Sequence, residues 1–149
     1  MKVNDLAKEL FQLYGEGSEN DTPRQEQWEN ILKLDPEKPF SLVNFFKFRD
    51  IAKYHEKNEV EENVSGEDAF SQYAQISIPT MERVGGSFLM VSPCKGNLLG
   101  EDEEWDLIAI GNYPNQEAFL GLFRDEKYLQ NFYHRTAACE KQKVFIAAA

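Results

Sequence analysis

The chain has 149 residues, 42% of them hydrophobic and 13% aromatic with eleven Phe, enough apolar side chain for one folded domain with its own core. Twenty-six acidic against sixteen basic residues give a net charge of −10, and a surface of that sign repels nucleic-acid phosphates and anionic membranes. Two cysteines make neither a disulfide framework nor a zinc site, and no stretch reaches the roughly 18 apolar residues of a membrane span. The opening residues carry an acid at Asp5 and no apolar segment of signal-peptide length, so the expectation is a cytoplasmic protein with Cys94 and Cys139 as reduced thiols.

Val3, Leu6, Ala7, Leu10, Phe11 and Tyr14 recur at helical spacing and predict an amphipathic helix ended by Gly15 and Gly17. A polar loop, Ser18 to Asp21, follows. Thr22 is then expected to cap a second helix, with Pro23 at its first position, Gln25 closing a capping box, and Trp28, Ile31 and Leu32 as its apolar face. These elements form a helical extension over residues 1–38.

Phe40 to Phe48 predicts the first strand. One face carries Phe40, Leu42, Asn44, Phe46 and Phe48, the other Ser41, Val43, Phe45 and Lys47, so both faces hold large apolar groups. Arg49 to Val64 is polar and reads as a long loop. Ser65 caps a helix with Asp68 at the box position and Phe70, Tyr73, Ala74, Met81 and Val84 as its stripe. Pro79 is expected to kink that helix, and Gly85-Gly86 to end it. Strands are expected over Phe88–Val91 and Trp105–Tyr113, around an acidic turn at residues 100–104. Asn115 and Asp125 cap two further helices, and Val144 to Ala147 predicts a short last strand.

From residue 39 the order is strand, helix, strand, strand, helix pair, strand. This is the β-α-β-β-α-β order of a ferredoxin-like α+β domain over residues 39–149, with helices on one face of a four-stranded antiparallel sheet. The other face needs a cover, because apolar side chains occupy it as well. The N-terminal helices are one candidate, and a second copy of the chain, sheet against sheet, is the fuller one.

The segments Val43-Asn44-Phe45-Phe46-Lys47-Phe48-Arg49, Ser65-Gly66-Glu67-Asp68-Ala69-Phe70-Ser71-Gln72-Tyr73, Arg83-Val84-Gly85-Gly86, Glu103-Glu104-Trp105-Asp106, Tyr113-Pro114-Asn115-Gln116-Glu117-Ala118-Phe119, Tyr128 and His134-Arg135-Thr136-Ala137-Ala138 share one order and spacing. Together they resemble a bacterial family of dimeric α+β barrel proteins classified as a domain of unknown function, over roughly residues 40 to 146. The resemblance implies a homodimer with a pocket between sheet and helices in each subunit. It implies no particular activity, since the wider superfamily holds cofactor-free monooxygenases, lyases, isomerases, haem-degrading enzymes and plain ligand binders.

Several polar residues stand among aromatics. Asn44, mid-strand, needs hydrogen-bond partners, either structural ones or a ligand in an apolar pocket. Lys47 and Arg49 offer positive charge to a carboxylate or to the chain's own acids. Tyr73 faces inward on its helix. Asp106, beside the large aromatic Trp105, is a candidate general base, or an exposed acid at a strand end. His134 and Arg135 point about 100° apart on one helix, so only one easily faces a pocket: Arg135 as an anion clamp, His134 as an acid–base group. The candidate set is thus Asp106 and His134 for catalysis, and Asn44, Lys47, Tyr73, Trp105 and Arg135 for ligand binding. There is no Gly-rich phosphate loop, nucleophile elbow or His/Cys ligand cluster, so neither metal nor cofactor is expected. The expected function is a small-molecule-binding or stress-related module without catalysis. The rival is a cofactor-free monooxygenase, lyase or isomerase acting on a small carbonyl or aromatic compound.

Overall fold

The structure, a computed structural model, describes residues 2–15, 17, 21–55 and 63–149. Residues 18–20 of the expected polar loop and 56–62 of the expected long loop lie outside the described residues. The elements run α1 (Val3–Tyr14), α2 (Gln25–Leu32), β1 (Phe40–Phe48), α3 (Gly66–Arg83), β2 (Ser87–Pro93), β3 (Leu107–Tyr113), α4 (Gln116–Arg124), α5 (Glu126–Ala138) and β4 (Cys139–Ala148).

The four strands form one antiparallel sheet in the order β2-β3-β1-β4. The arrangement is consistent with a ferredoxin-like α+β fold: α3 carries the chain from β1 past the place of β3 to β2. Three helix starts follow the expected side chains. Ser65 Oγ accepts from Asp68 N at 3.0 Å, Asn115 Oδ1 from Ala118 N at 2.9 Å and Asp125 Oδ1 from Tyr128 N at 2.8 Å. Each satisfies a first-turn N–H that has no partner within its helix.

Helix α2 begins at Gln25, not at Pro23. The Gln27 side chain accepts from Arg24 N at 2.9 Å, and Thr22 Oγ1 instead takes the Gly17 N–H at 3.1 Å. Thr22 therefore holds the incoming turn rather than the helix. Strand β3 starts at Leu107 because Asp106 leaves the ladder to close the strand end: its N–H donates to Phe46 O, and its own O accepts from Cys94 N. Strand β4 is far longer than the apolar run Val144–Ala147. Its first half, Glu140 to Lys143, is mostly polar because it forms a sheet edge, where charged side chains discourage pairing with another chain.

Strand β1 alternates as its two-faced composition requires. Phe40, Leu42, Asn44 and Phe46 are buried under the helices, while Ser41, Val43, Phe45 and Lys47 are half-buried on the opposite face. The N-terminal helices do not cover that opposite face. Leu6, Ala7 and Leu10 of α1 and Trp28, Ile31 and Leu32 of α2 join the same core as Leu42, Tyr73, Phe119 and Phe132, on the helical side of the sheet. Tyr14 secures the packing with its hydroxyl on Phe123 O at 2.8 Å, and its ring meets those of Trp28, Phe123 and Phe132.

Candidate functional site

Between sheet and helices lies a cavity of about 580 Å³, a volume in the range of small-molecule sites. Its floor is the inner face of β1 and β3. There Ala109 and Gly111 sit opposite Asn44 and Leu42, small residues that leave room above the sheet. Helix α3 contributes Tyr73, α5 contributes Tyr128, Phe132 and Arg135, and α2 contributes Trp28 and Ile31. Val144 and Ile146 of edge strand β4 also border it and are each 42% exposed, so that side is a mouth.

Arg135 is the chemical centre of this space. It extends from the last turn of α5, and its Nε donates to Gln142 Oε1 at 2.8 Å, Nη1 to the Tyr73 hydroxyl at 3.2 Å and Nη2 to Asn44 Oδ1 at 3.3 Å. All three acceptors are neutral. The guanidinium carbon lies 4.8 Å from the Phe46 ring centroid, 5.5 Å from Phe132 and 5.6 Å from Tyr73, so ring faces take part of the place of water around the charge. Burial works against the charged form. The neighbouring Tyr73 and Tyr128 oxygens and the Cys139 sulfur work for it, and the balance moves the pKa upward, so the side chain stays cationic.

Asn44 positions this cation. Its Nδ2 donates to Ala109 O at 3.0 Å and Leu42 O at 3.3 Å, which turns Oδ1 toward Arg135. The Tyr73 and Tyr128 hydroxyls are 2.6 Å apart. Burial pushes the Tyr128 phenol well above its ordinary range, so it stays protonated.

The structure therefore brings Asn44, Tyr73 and Arg135 together and places the other sequence candidates elsewhere. His134 turns away from Arg135, as neighbours on a helix must. It is buried with Nδ1 2.7 Å from the Tyr54 hydroxyl, and burial lowers its pKa. Asp106 is exposed at the end of the sheet, where its carboxylate accepts from Phe48 N at 2.7 Å. Lys47 pairs with Glu104 at 3.4 Å, and Trp105 donates from Nε1 to Glu103 at 2.9 Å with the Lys141 ammonium 4.4 Å from its ring. None of these four borders the cavity. Arg49 accepts the Gly66 N–H with its carbonyl beside the start of α3. Among the described residues no group of three His, Cys, Asp or Glu side chains is arranged to hold a metal ion.

The sequence reading missed Gln142, Tyr128 and Trp28 as members of this site. Tyr128 and Trp28 lie on apolar helix stripes, where an aromatic reads as core. Gln142 pairs across the sheet with Phe46, a register visible only once β4 is extended to Cys139. A polar side chain on the same sheet face as Asn44 was the available signal.

Fold and site thus define a small α+β protein with a four-stranded antiparallel sheet and an aromatic-lined cavity around a cation. The chain is similar to a crystal structure of RPA0582, a protein of unknown function from Rhodopseudomonas palustris solved as a structural genomics target, with 29% identity and a TM-score of 0.76 over 86% of this chain and 95% of that one. A second structure, of methylated RPA0582, aligns with the same identity and TM-score and is covered over 93% of its length. No family model and no curated protein matches the chain. Among the described residues no helix is long and apolar enough to cross a membrane.

Proposed function

We propose that the protein is a cytoplasmic, homodimeric α+β barrel that binds a small molecule in the cavity between sheet and helices and releases it unchanged. Residues 39–149 form the barrel subunit in this scheme, and the helices of residues 1–38 cap its cavity. The observation that carries the binding role is a ready-made apolar cavity holding one deeply placed guanidinium whose acceptors are all neutral. A buried cation is costly to keep without a counter-charge, and such groups persist where a ligand uses them.

Support for the dimer comes from the far face of the sheet. Val43 pairs with Ile110 and Phe145, and Met90 also pairs with Ile110, so these four side chains adjoin on one face. Phe145 is 53% exposed and Met90 40%. A contiguous apolar face of this kind is usually buried by association. Two free thiols, Cys94 half-buried and Cys139 buried, suit a reducing compartment.

Lack of turnover is supported by Asp106 and His134, neither of which borders the cavity and so neither of which moves a proton on a molecule held there. One observation favours the rival, a cofactor-free enzyme: the hydroxyl pair of Tyr73 and Tyr128 beside Arg135 can donate a proton to a bound carbonyl oxygen.

The test is a metabolite screen by thermal shift, with mass spectrometry of each hit before and after incubation. A stabilising compound recovered intact supports binding, whereas conversion to a product establishes the enzyme instead. Sedimentation at micromolar concentration tests the dimer, and a monomer there refutes it.

A further inference from the structure

The buried side-chain atoms of cavity-lining residues that lack a partner among the described residues, Gln142 Nε2 and Trp28 Nε1, are both donors. Arginine has five N–H groups, and the three bonds described engage one each on Nε, Nη1 and Nη2. One N–H on each terminal nitrogen therefore remains. Gln142 presents Oε1 to Arg135, which fixes the orientation of its amide. Its buried Nε2 then has no acceptor among the described residues. Of the Tyr73 and Tyr128 hydroxyls one donates to the other at 2.6 Å, and the second hydroxyl's proton lies outside that bond. Further along the same cavity Trp28, 2% exposed, carries a buried Nε1–H that also lacks one.

A buried donor without an acceptor is costly, and several converging on one cavity describe the ligand that satisfies them. Asp21 and Lys143 also border the cavity, but Lys143 stands opposite Phe45 and turns its ammonium to Glu103 at 3.6 Å on the far face of the sheet, so Arg135 is the cation that faces the cavity.

We infer that the cavity takes an organic carboxylate. Its carboxylate oxygens meet the spare N–H groups of Arg135, the Gln142 amide and the free phenolic proton. An aromatic or aliphatic body lies among Phe46, Phe132 and Val144. A second oxygen acceptor on that body faces Trp28 Nε1. Trp28 from α2 and Arg135 from α5 border the same cavity. This assignment rests on the binding role proposed above and specifies its ligand class.

The experiment titrates the full-length protein by calorimetry with 4-phenylbutanoate, 4-phenylbutan-1-ol, 4-phenylbutylamine and 4-oxo-4-phenylbutanoate, and follows the Trp28 indole N–H by NMR. The carboxylate is expected to bind at least about tenfold more tightly than the alcohol or the amine, the loss expected when a charge-assisted pair is removed. The keto acid is expected to bind more tightly again and to shift the Trp28 indole resonance, and Trp28→Phe is expected to remove that advantage alone. Gln142→Glu, which turns a donor into a repelling anion, is expected to abolish carboxylate binding; circular dichroism confirms that the variant is folded. Alcohol or amine binding as tightly as the acid overturns the carboxylate assignment and leaves the binding role standing. A keto acid no tighter than phenylbutanoate overturns the Trp28 subsite. If none of the four compounds perturbs any cavity resonance, the binding role and the assignment both fall.

Discussion

Replacing Arg135 by Met separates a cation kept for a ligand from a cation kept for the fold. The methionine stem fills similar space and removes the charge. Three hydrogen bonds are lost, at 2.8, 3.2 and 3.3 Å. Two of them are long, so roughly 1.5 kcal/mol each is a fair value for bonds to a charged group. Three ring contacts add about 0.5 kcal/mol each, partly retained by the thioether. Together the losses come to about 5 kcal/mol. Against them stands the relief of holding an ion out of water, itself several kcal/mol. The two nearly cancel, and the expected change in unfolding free energy is within about 2 kcal/mol of zero. Breaking a buried ion pair would instead cost about 3–5 kcal/mol. Urea unfolding decides the matter, provided the m-value is unchanged. A loss above about 4 kcal/mol would show that the guanidinium is a structural keystone, and the case for a ligand group would fail with it.

Four further outcomes follow from local geometry. A Cβ at Gly66 would run into the backbone of Arg49 and the carbonyl oxygen of Ala138, none of which can yield, so Gly66→Ala is expected to cost more than about 2 kcal/mol in urea unfolding. At Gly111 the nearest obstacle is the flexible end of Met81 at 3.1 Å, so Gly111→Ala is expected to cost less than about 1 kcal/mol while reducing the cavity. Burial pushes the Cys139 thiol up to about 12, so only Cys94 is expected to react with a thiol reagent in the native protein at pH 8, and both in denaturant. Burial lowers the pKa of His134 from its ordinary 6.5. The unfolded chain therefore takes up a proton first as pH falls, so the stability present above pH 6.5 is lost as pH falls from there through the lowered folded-state pKa. His134→Gln is expected to flatten the urea midpoint over that window, and an unchanged slope would refute the assignment.

The sequence carried the fold wherever a side chain had to serve a local need. Ser65, Asn115 and Asp125 mark helix starts because first-turn N–H groups require an acceptor. The two apolar faces of β1 called for a cover on each side of the sheet, and the helices supply one of them, burying Phe46 while Phe45 on the other face stays half-buried. Asn44 stood out because an amide amid Phe and Leu needs partners. What those partners are depends on pairing across 91 residues to Arg135 and on Ala109 lying opposite, and no local pattern encodes either. The first half of β4 escaped because its polar residues read like a helix end or a loop. Gln142, hidden in that half, was lost with it.

The placement of α1 and α2 changes what bounds the cavity. A β-α-β-β-α-β unit has two layers, and its cavity would be bounded by sheet and helices alone. Here α2 adds Trp28 and Ile31 to the wall, while α1 holds α2 in place through Leu6, Ala7 and Leu10 in the shared core. Two contacts fix the cap to α4 from the other side: the Gln116 side chain donates to Leu32 O at 3.2 Å, and Arg124 makes a fork to Glu9 at 2.6 and 2.9 Å. The fork is partly exposed and worth little by itself, so the joint depends on buried aromatic packing around Tyr14 and Trp28. The donor that distinguishes this cavity from a plain apolar one, Trp28 Nε1, comes from the cap. For the carboxylate inferred above, selection is divided: the sheet-and-helix unit supplies the charge through Arg135, and the helical cap supplies the second hydrogen bond.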